Sequence, residues 1–191
     1  MNSTYLIIAV VAVIVIVSFV RRGGTKIHSP RLGFLNLKGA AGEQILAEDK
    51  SALMGLFSNV LESSAAPPSC DVLFIYCDIA DDGRVSGATS GLRDLIRSSG
   101  ARVVVVASEN PAKSCIASAK KTGYGHANLV LTLERKGTVF SAFFNRLFTL
   151  MTKGKTMPLA WVKLAPQIPG HVHADCPETI FLAEAGQIGF K

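Results

Sequence analysis

The sequence has few cysteines, and they lie far apart. Its four cysteines, Cys70, Cys77, Cys115 and Cys176, have wide and irregular spacings that do not form a disulfide framework. We therefore expect reduced thiols, with Cys77 serving as a small buried apolar residue. The chain also has no internal repeat and no low-complexity tract, and its 191 residues leave room for one domain of ordinary size plus an appendage.

No basic patch interleaved with aromatic residues occurs in the chain, which argues against a nucleic-acid partner. The formal net charge is nevertheless +6, and Arg21, Arg22 and Lys26 supply part of it. This surplus suits an anionic membrane surface, so membrane lipid is the expected partner. A solvated basic surface is the alternative interpretation.

One long apolar run begins close to the N-terminus. Residues 5–20, "YLIIAVVAVIVIVSFV", carry no charge and would span about 24 Å as a helix. A cleaved signal peptide is disfavoured because "MNST" has no basic residue and no Ala-x-Ala-like site follows. We therefore expect residues 1–22 to be a single transmembrane helix. The basic residues that follow it predict a cytoplasmic C-terminal domain.

Beyond a Gly- and Ser-containing linker at residues 23–30, strand and helix patterns alternate through residues 31–191. This alternation predicts an α/β domain with a mostly parallel sheet and helices on both faces. The predicted strands are residues 31–39, 70–79, 101–108, 127–134 and 178–186, with an extended segment around Trp161. The predicted helices are residues 49–64, 90–100, 111–121 and 138–154.

Aromatic residues are concentrated in the last of these helices, at helical spacing: Phe140, Phe143, Phe144 and Phe148. Such a stripe is typical of a core-facing helix. Its aromatic density also suits an interface with a protein partner, a second copy or the membrane surface, together with Trp161 and residues 161–169.

Several polar groupings could carry chemistry at the carboxyl ends of the strands. "DIADDG" (residues 78–83) could bind a metal, but a solvated acidic loop is the simpler interpretation. His171, His173 and Cys176 lack the fourth ligand of a closed zinc site. The glycines of "DGRVSGATSG" do not have the spacing of a phosphate-binding loop. We therefore predict no metal and no cofactor.

A nucleophile requires a base within reach. Cys77 and His126 are predicted at opposite edges of a parallel sheet, so they do not form a pair. Ser114 opens a helix after a buried strand, and Lys163 lies among apolar neighbours that would lower its proton affinity. These two are the remaining candidates, although the residues alone do not bring them together.

The segments "RLGFLNLKG", "LFIYCDIADDGRVSG", "VVVVASENPAKSCIASAKK" and "ANLVLTL" cover roughly residues 31–133. Together they resemble the signal peptide peptidase A family of the Clp-protease/crotonase superfamily. The resemblance implies a serine peptidase with Ser114 as nucleophile, Lys163 as base and Gly83 shaping the oxyanion site. Lys113 stands where the family has a small residue, and one glycine replaces its glycine pair, so an inactive relative is the alternative within this interpretation.

A rival resemblance rests on "CDIADDGRVSGATSGLRDLIRSSGARVVVVAS", which is similar to the second half of CHAT-type caspase-like domains. It implies Cys77 as the nucleophile. No histidine occurs in "RLGFLNLKG", where its partner is expected, so this resemblance implies an inactive domain. A third hypothesis, of another class, is a non-catalytic membrane-tethered scaffold or accessory subunit that binds through residues 140–151 or 161–169.

Overall fold

Short runs of β-branched and large apolar residues form the strands of the fold. The computed structural model describes residues 24–119, 126–165 and 175–191. The strands are β1 (Thr25–Ile27), β2 (Arg31–Asn36), β3 (Asn59–Ser63), β4 (Val72–Tyr76), β5 (Val103–Val106), β6 (Asn128–Glu134), β7 (Glu178–Leu182) and β8 (Ile188–Phe190). The helices are α1 (Ala40–Leu53), α2 (Leu92–Ser99), α3 (Ala112–Ala119), α4 (Thr138–Thr152) and α5 (Met157–Leu164), and a 3₁₀ turn (Met54–Leu56) follows α1.

The central sheet has six strands in the order β3-β2-β4-β5-β6-β7. Its first five strands are parallel, and β7 pairs antiparallel with β6. This confirms the predicted α/β class with a mostly parallel sheet. The chain leaves β2 in one direction to reach β3 and then returns to the other side of β2 for β4. The carboxyl ends of β2 and β4 therefore flank the point where strand order reverses.

The helices cover both faces of the sheet because alternate strand residues point to opposite sides. One face holds Phe34 and Phe74 and packs against α1, α4 and α5. The other holds Leu73, Ile75 and Val104 and packs against α2 and α3. The four-valine strand β5 is buried on both sides, as its sequence predicts.

The aromatic stripe of α4 belongs to the core. Its four phenylalanines, Phe140, Phe143, Phe144 and Phe148, have no exposed surface. Phe74 of β4 meets the ring of Phe144 edge-on at 5.5 Å, so the stripe packs beneath the sheet. Trp161 is half-buried and stacks on Phe181 at 4.5 Å. The core-facing interpretation is confirmed, and an interface formed by the four phenylalanines is wrong because none of them reaches the surface.

Three local predictions are corrected by tertiary pairing. The helix predicted at residues 49–64 occupies residues 40–53, while residues 59–63 form the edge strand β3 beside β2. The segment around Trp161 is the helix α5, with Pro158 in the first turn, where proline is tolerated. The predicted linker includes β1, which pairs with β8.

The predicted transmembrane helix, residues 1–22, lies outside the described residues. Within the described ranges, no helix combines the length and the apolar composition that crossing a bilayer requires.

Candidate functional site

Three loops meet at the carboxyl edge of the sheet, where a parallel α/β fold collects its polar groups. They follow β4, β5 and β6, whose residues are paired in parallel register. The loop after β4 contains Cys77 and Gly83, and the loop after β5 leads through Ser108 to Ser114. The sheet thereby brings Cys77, Gly83 and Ser114 to one edge.

Ser114 lies in the first turn of α3 and is 1% exposed. Its hydroxyl donates a hydrogen bond to Asp81 Oδ1 at 3.2 Å, and Lys113 Nζ contacts Asp81 Oδ2 at 2.9 Å. The hydrogen bonds from Lys113 and Ser114 lower the pKa of the Asp81 carboxyl. A carboxylate with a lowered pKa is a weak base, so this contact ties the acidic loop to α3 rather than activating the serine.

Lys163 is not brought to Ser114. It lies exposed on α5, which packs through Met157 and Ala160 on the face of the sheet opposite to α3. Helix α3 packs through Cys115 on the other face. The predicted Ser114–Lys163 pair is therefore not formed, because the chain passes to the opposite face of the sheet after β6.

Gly83 has a tightly packed structural position. Its φ is +82°, and a Cβ there would lie 2.7 Å from the backbone carbon of Ala117 in α3. Its N–H donates to the carbonyl of Ala80 at 2.8 Å and closes a turn. Since this N–H already has an acceptor, the oxyanion role that the resemblance implies for Gly83 has no donor to supply it.

Cys77, the rival nucleophile, is fully enclosed. Burial, with a smaller contribution from Asp78, raises the pKa of the Cys77 thiol to about 12. Reactive cysteines have lowered pKa values and partial exposure, so this environment is that of a structural cysteine. The expectation that Cys77 is a buried apolar residue is confirmed.

A polar clip of two residues, Ser108 and Asn110, holds the backbone at Cys77. The Cys77 N–H donates to Ser108 Oγ at 2.8 Å, and the same hydroxyl donates to the Cys77 carbonyl. Asn110 donates to that carbonyl at 3.2 Å and accepts from the Ile79 N–H at 2.7 Å. The clip joins the ends of β4 and β5. Sequence analysis did not identify it, although polar residues two and four positions after a buried valine run were a usable signal.

The described histidines lie at the other edge of the sheet. His126 is exposed and precedes β6, and His28 is exposed and precedes β2. Because these strands run parallel to β4, both imidazoles lie near the amino ends of strands, whereas Cys77 follows the carboxyl end of one. This agrees with the predicted separation of Cys77 from His126.

Each carboxylate of the acidic loop has its own cation. The ion pairs are Lys38–Asp78, Lys113–Asp81 at 2.9 Å and Arg84–Asp82 at 2.6 Å. No group of three histidine, cysteine or acidic side chains suited to a metal occurs among the residues that the structure describes. His171 and His173 lie outside them, and Cys176 is buried.

A buried ion pair crosses the carboxyl edge on the α1 face. Arg135, after β6, makes two hydrogen bonds to the Asp49 carboxylate of α1, at 2.9 and 3.1 Å. Tyr76 donates to the same carboxylate at 2.8 Å, and the guanidinium lies 3.9 Å from the centre of the Phe140 ring. Burial raises the pKa of the Asp49 carboxyl, and its bonds to Arg135 oppose that rise. Sequence analysis did not identify this pair, since 86 residues separate its partners.

Within the part of the chain that the structure describes, two open grooves are lined by neither Ser114 nor Cys77. One, of about 500 Å³, runs between α1 and β3 and is lined by Asn36, Glu43, Lys50 and Glu62, among others. The second, of about 590 Å³, runs along α4 and includes Asn145 and Arg146. Neither is lined by a candidate nucleophile, so neither places a substrate beside one.

Comparison with known proteins gives no relative: no family model, no curated protein and no solved structure matches the chain.

Proposed function

We propose that this chain is a non-catalytic, membrane-tethered α/β protein, a scaffold or accessory subunit rather than a working peptidase. The observation that carries the proposal is the placement of Ser114 and Lys163 on opposite faces of the sheet. A serine hydroxyl needs a base within hydrogen-bond reach to become a nucleophile. Such a hydrogen bond can be longer when no substrate is bound, but its two partners still lie on the same side of the sheet.

The second possible nucleophile supports the same proposal. Cys77 has no exposed surface, and burial raises its thiol pKa to about 12, so the thiol stays protonated at neutral pH. The neighbouring Ser108 hydroxyl is bonded in both directions to the Cys77 backbone. Both side chains therefore stabilise the edge of the sheet.

Tethering rests on the uncharged run at residues 5–20 and on the basic residues that follow it. In this proposal the run spans the bilayer and the α/β domain lies on the cytoplasmic side. Its partners are membrane lipid and a protein or a second copy.

An inactive relative of caspase-like domains is a second candidate. It is favoured by the position of Cys77, which directly follows the buried strand β4 and precedes an acidic, glycine-bearing loop. It is disfavoured as an active enzyme because neither described histidine lies at the carboxyl edge of the sheet, where Cys77 lies. This candidate differs from the first in ancestry and agrees with it in lacking catalysis.

Covalent labelling tests the absence of catalysis. Full-length protein in detergent or vesicles is treated with a serine-directed fluorophosphonate and analysed by mass spectrometry, with Ser114→Ala as the matched control. We expect no adduct on Ser114. An adduct that is lost in Ser114→Ala and weakened in Lys163→Met would restore the peptidase interpretation.

Flotation tests the tether. Full-length protein is expected to float with phosphatidylcholine vesicles and to resist extraction by high salt and alkali. Val11→Arg combined with Ile14→Arg should abolish this, because each arginine at a membrane centre costs about 2.5–3.5 kcal/mol. The paired control replaces Ile27, in the described domain, with Val. Unchanged flotation of the double arginine variant would contradict the tether.

A further inference from the structure

We propose that the outer face of α5 is the surface that lies against the bilayer, and that its ligand is an anionic lipid surface. This face consists of Leu159, Val162 and Lys163. The inference rests on the tether proposed above and specifies which side of the domain the membrane meets.

The face is apolar and exposed on a helix whose other side is core. Leu159 is 57% exposed and Val162 is 65% exposed, whereas Met157 and Ala160 are fully buried. Positions 159, 162 and 163 are spaced i, i+3 and i+4, so they share one side of the helix. Two large apolar side chains beside a lysine form the arrangement by which interfacial helices enter the headgroup boundary.

Contacts place this helix beside the point where the chain arrives from its apolar N-terminal run. A Cβ at Gly24 would lie 2.6 Å from the carbonyl oxygen of Gln187, so position 24 lies directly against that residue. Thr156, which caps α5, hydrogen-bonds to the Gln187 side chain and bridges to Gly189. Only a few residues separate position 24 from the end of the run at residue 20. A membrane that holds the run is therefore near the start of α5.

The two stretches of chain that lead to this point, residues 1–42 and 135–174, carry basic residues and no acidic ones. The first acidic residue of the sequence is Glu43, and none occurs between Glu134 and Asp175. Lys26, Lys153 and Lys155 are exposed. Lys26 lies in β1, and the other two lie in the turn before α5. Lysines close to an anionic leaflet contribute about 1 kcal/mol each, so this face complements such a leaflet. The acidic loop, in contrast, lies at the carboxyl edge of the sheet.

Depth-dependent fluorescence in the full-length protein tests the proposal. All four native cysteines are free and buried, so Val162→Cys can be labelled selectively with the environment-sensitive dye NBD. The matched control is Ile116→Cys on α3, at 47% exposure and on the opposite face of the sheet. Both proteins are reconstituted in vesicles of phosphatidylcholine with or without phosphatidylserine.

We expect the dye at position 162 to shift to the blue and to be quenched by doxyl-labelled lipid, with a larger effect when phosphatidylserine is present. The dye at position 116 should show neither change. Removing one charge, by Lys155→Gln or Lys163→Gln, should weaken docking about fivefold, because one lysine contributes about 1 kcal/mol at such a surface. Arg97→Gln, an exposed charge on α2, should leave docking unchanged.

Flotation of the same samples separates the two proposals. Protein that fails to float contradicts the tether. Protein that floats with equal responses at positions 116 and 162 overturns the docking face while leaving the tether intact. A blue shift at position 162 without lipid quenching indicates a protein partner or a second copy on this face, and it also overturns the proposal.

Discussion

The buried pair between Asp49 and Arg135 permits a quantitative test of how α1 is held on the sheet. The variant Arg135→Met removes two hydrogen bonds to Asp49, one to the Ala107 carbonyl at 2.6 Å, and the contact with the Phe140 ring. It leaves the carboxylate of Asp49, which has no exposed surface, without its counter-ion. Breaking a buried ion pair from one side costs about 3–5 kcal/mol, so we expect a loss of that size.

A matched set of variants separates the uncompensated charge from lost packing. The triple variant Asp49→Leu, Tyr76→Phe and Arg135→Met removes the three polar side chains together and leaves only the Ala107 carbonyl without its donor. It should recover most of the lost stability, because no charge is then left buried. Arg31→Met is the surface control. It breaks an ion pair with Asp71 at 3.5 Å whose arginine side chain is 45% exposed, and we expect a cost below about 1 kcal/mol.

Urea denaturation of the full-length protein in detergent micelles measures these differences through the fluorescence of Trp161, the single tryptophan. The free energy of unfolding comes from the midpoint and slope of each transition. A loss for Arg135→Met no greater than that for Arg31→Met would refute the reasoning, because it would mean that the buried carboxylate needs no counter-ion.

Three further outcomes are expected. Gly33→Ala should lower the free energy of unfolding by about 1–3 kcal/mol, because its Cβ would lie 2.5 Å from the Cys70 sulfur. The control Gly55→Ala, which has open space around the added methyl group, should change that free energy by less than about 1 kcal/mol in urea denaturation. Phe144→Asp should unfold the domain, as measured by circular dichroism, since it places a carboxylate in the core. Ser114→Ala should lower the free energy of unfolding by only about 1 kcal/mol. A folded Phe144→Asp protein would contradict the core assignment. At pH 8 the native protein should show almost no thiol that reacts with Ellman's reagent, because the thiols are buried and burial raises the thiol pKa of Cys77. The denatured protein should show four reactive thiols. Rapid modification of Cys77 in the native protein would contradict its enclosure.

Much of the fold follows from local sequence. The valines of β5 and the apolar run of β4 are buried on both faces, and the sequence expresses this as continuous hydrophobicity. The edge strand β3 was beyond such reasoning. Its Val60 and Leu61 continue a helical pattern, and only pairing with β2 makes them a strand.

The candidate site was predictable in part. Parallel strands fix which loops share the carboxyl edge, so Cys77, Ser108 and Ser114 could be placed there from the sequence. Which face of the sheet receives α5 depends on how the chain crosses after β6, and local sequence does not encode that choice. The Asp49–Arg135 pair depends on the same long-range packing.

The distance between the two faces of the sheet tests the account most directly. Spin labels on Ile116→Cys and Val162→Cys in the full-length protein in nanodiscs report it by pulsed electron paramagnetic resonance. Three layers of roughly 10 Å each place the outer surfaces of α3 and α5 about 30 Å apart, and we expect a distance near that value. A serine–lysine pair would bring the Ser114 Oγ and the Lys163 Nζ within about 3 Å of each other. The labels at positions 116 and 162 would then lie well below about 20 Å apart. A distance in that shorter range would contradict the non-catalytic account.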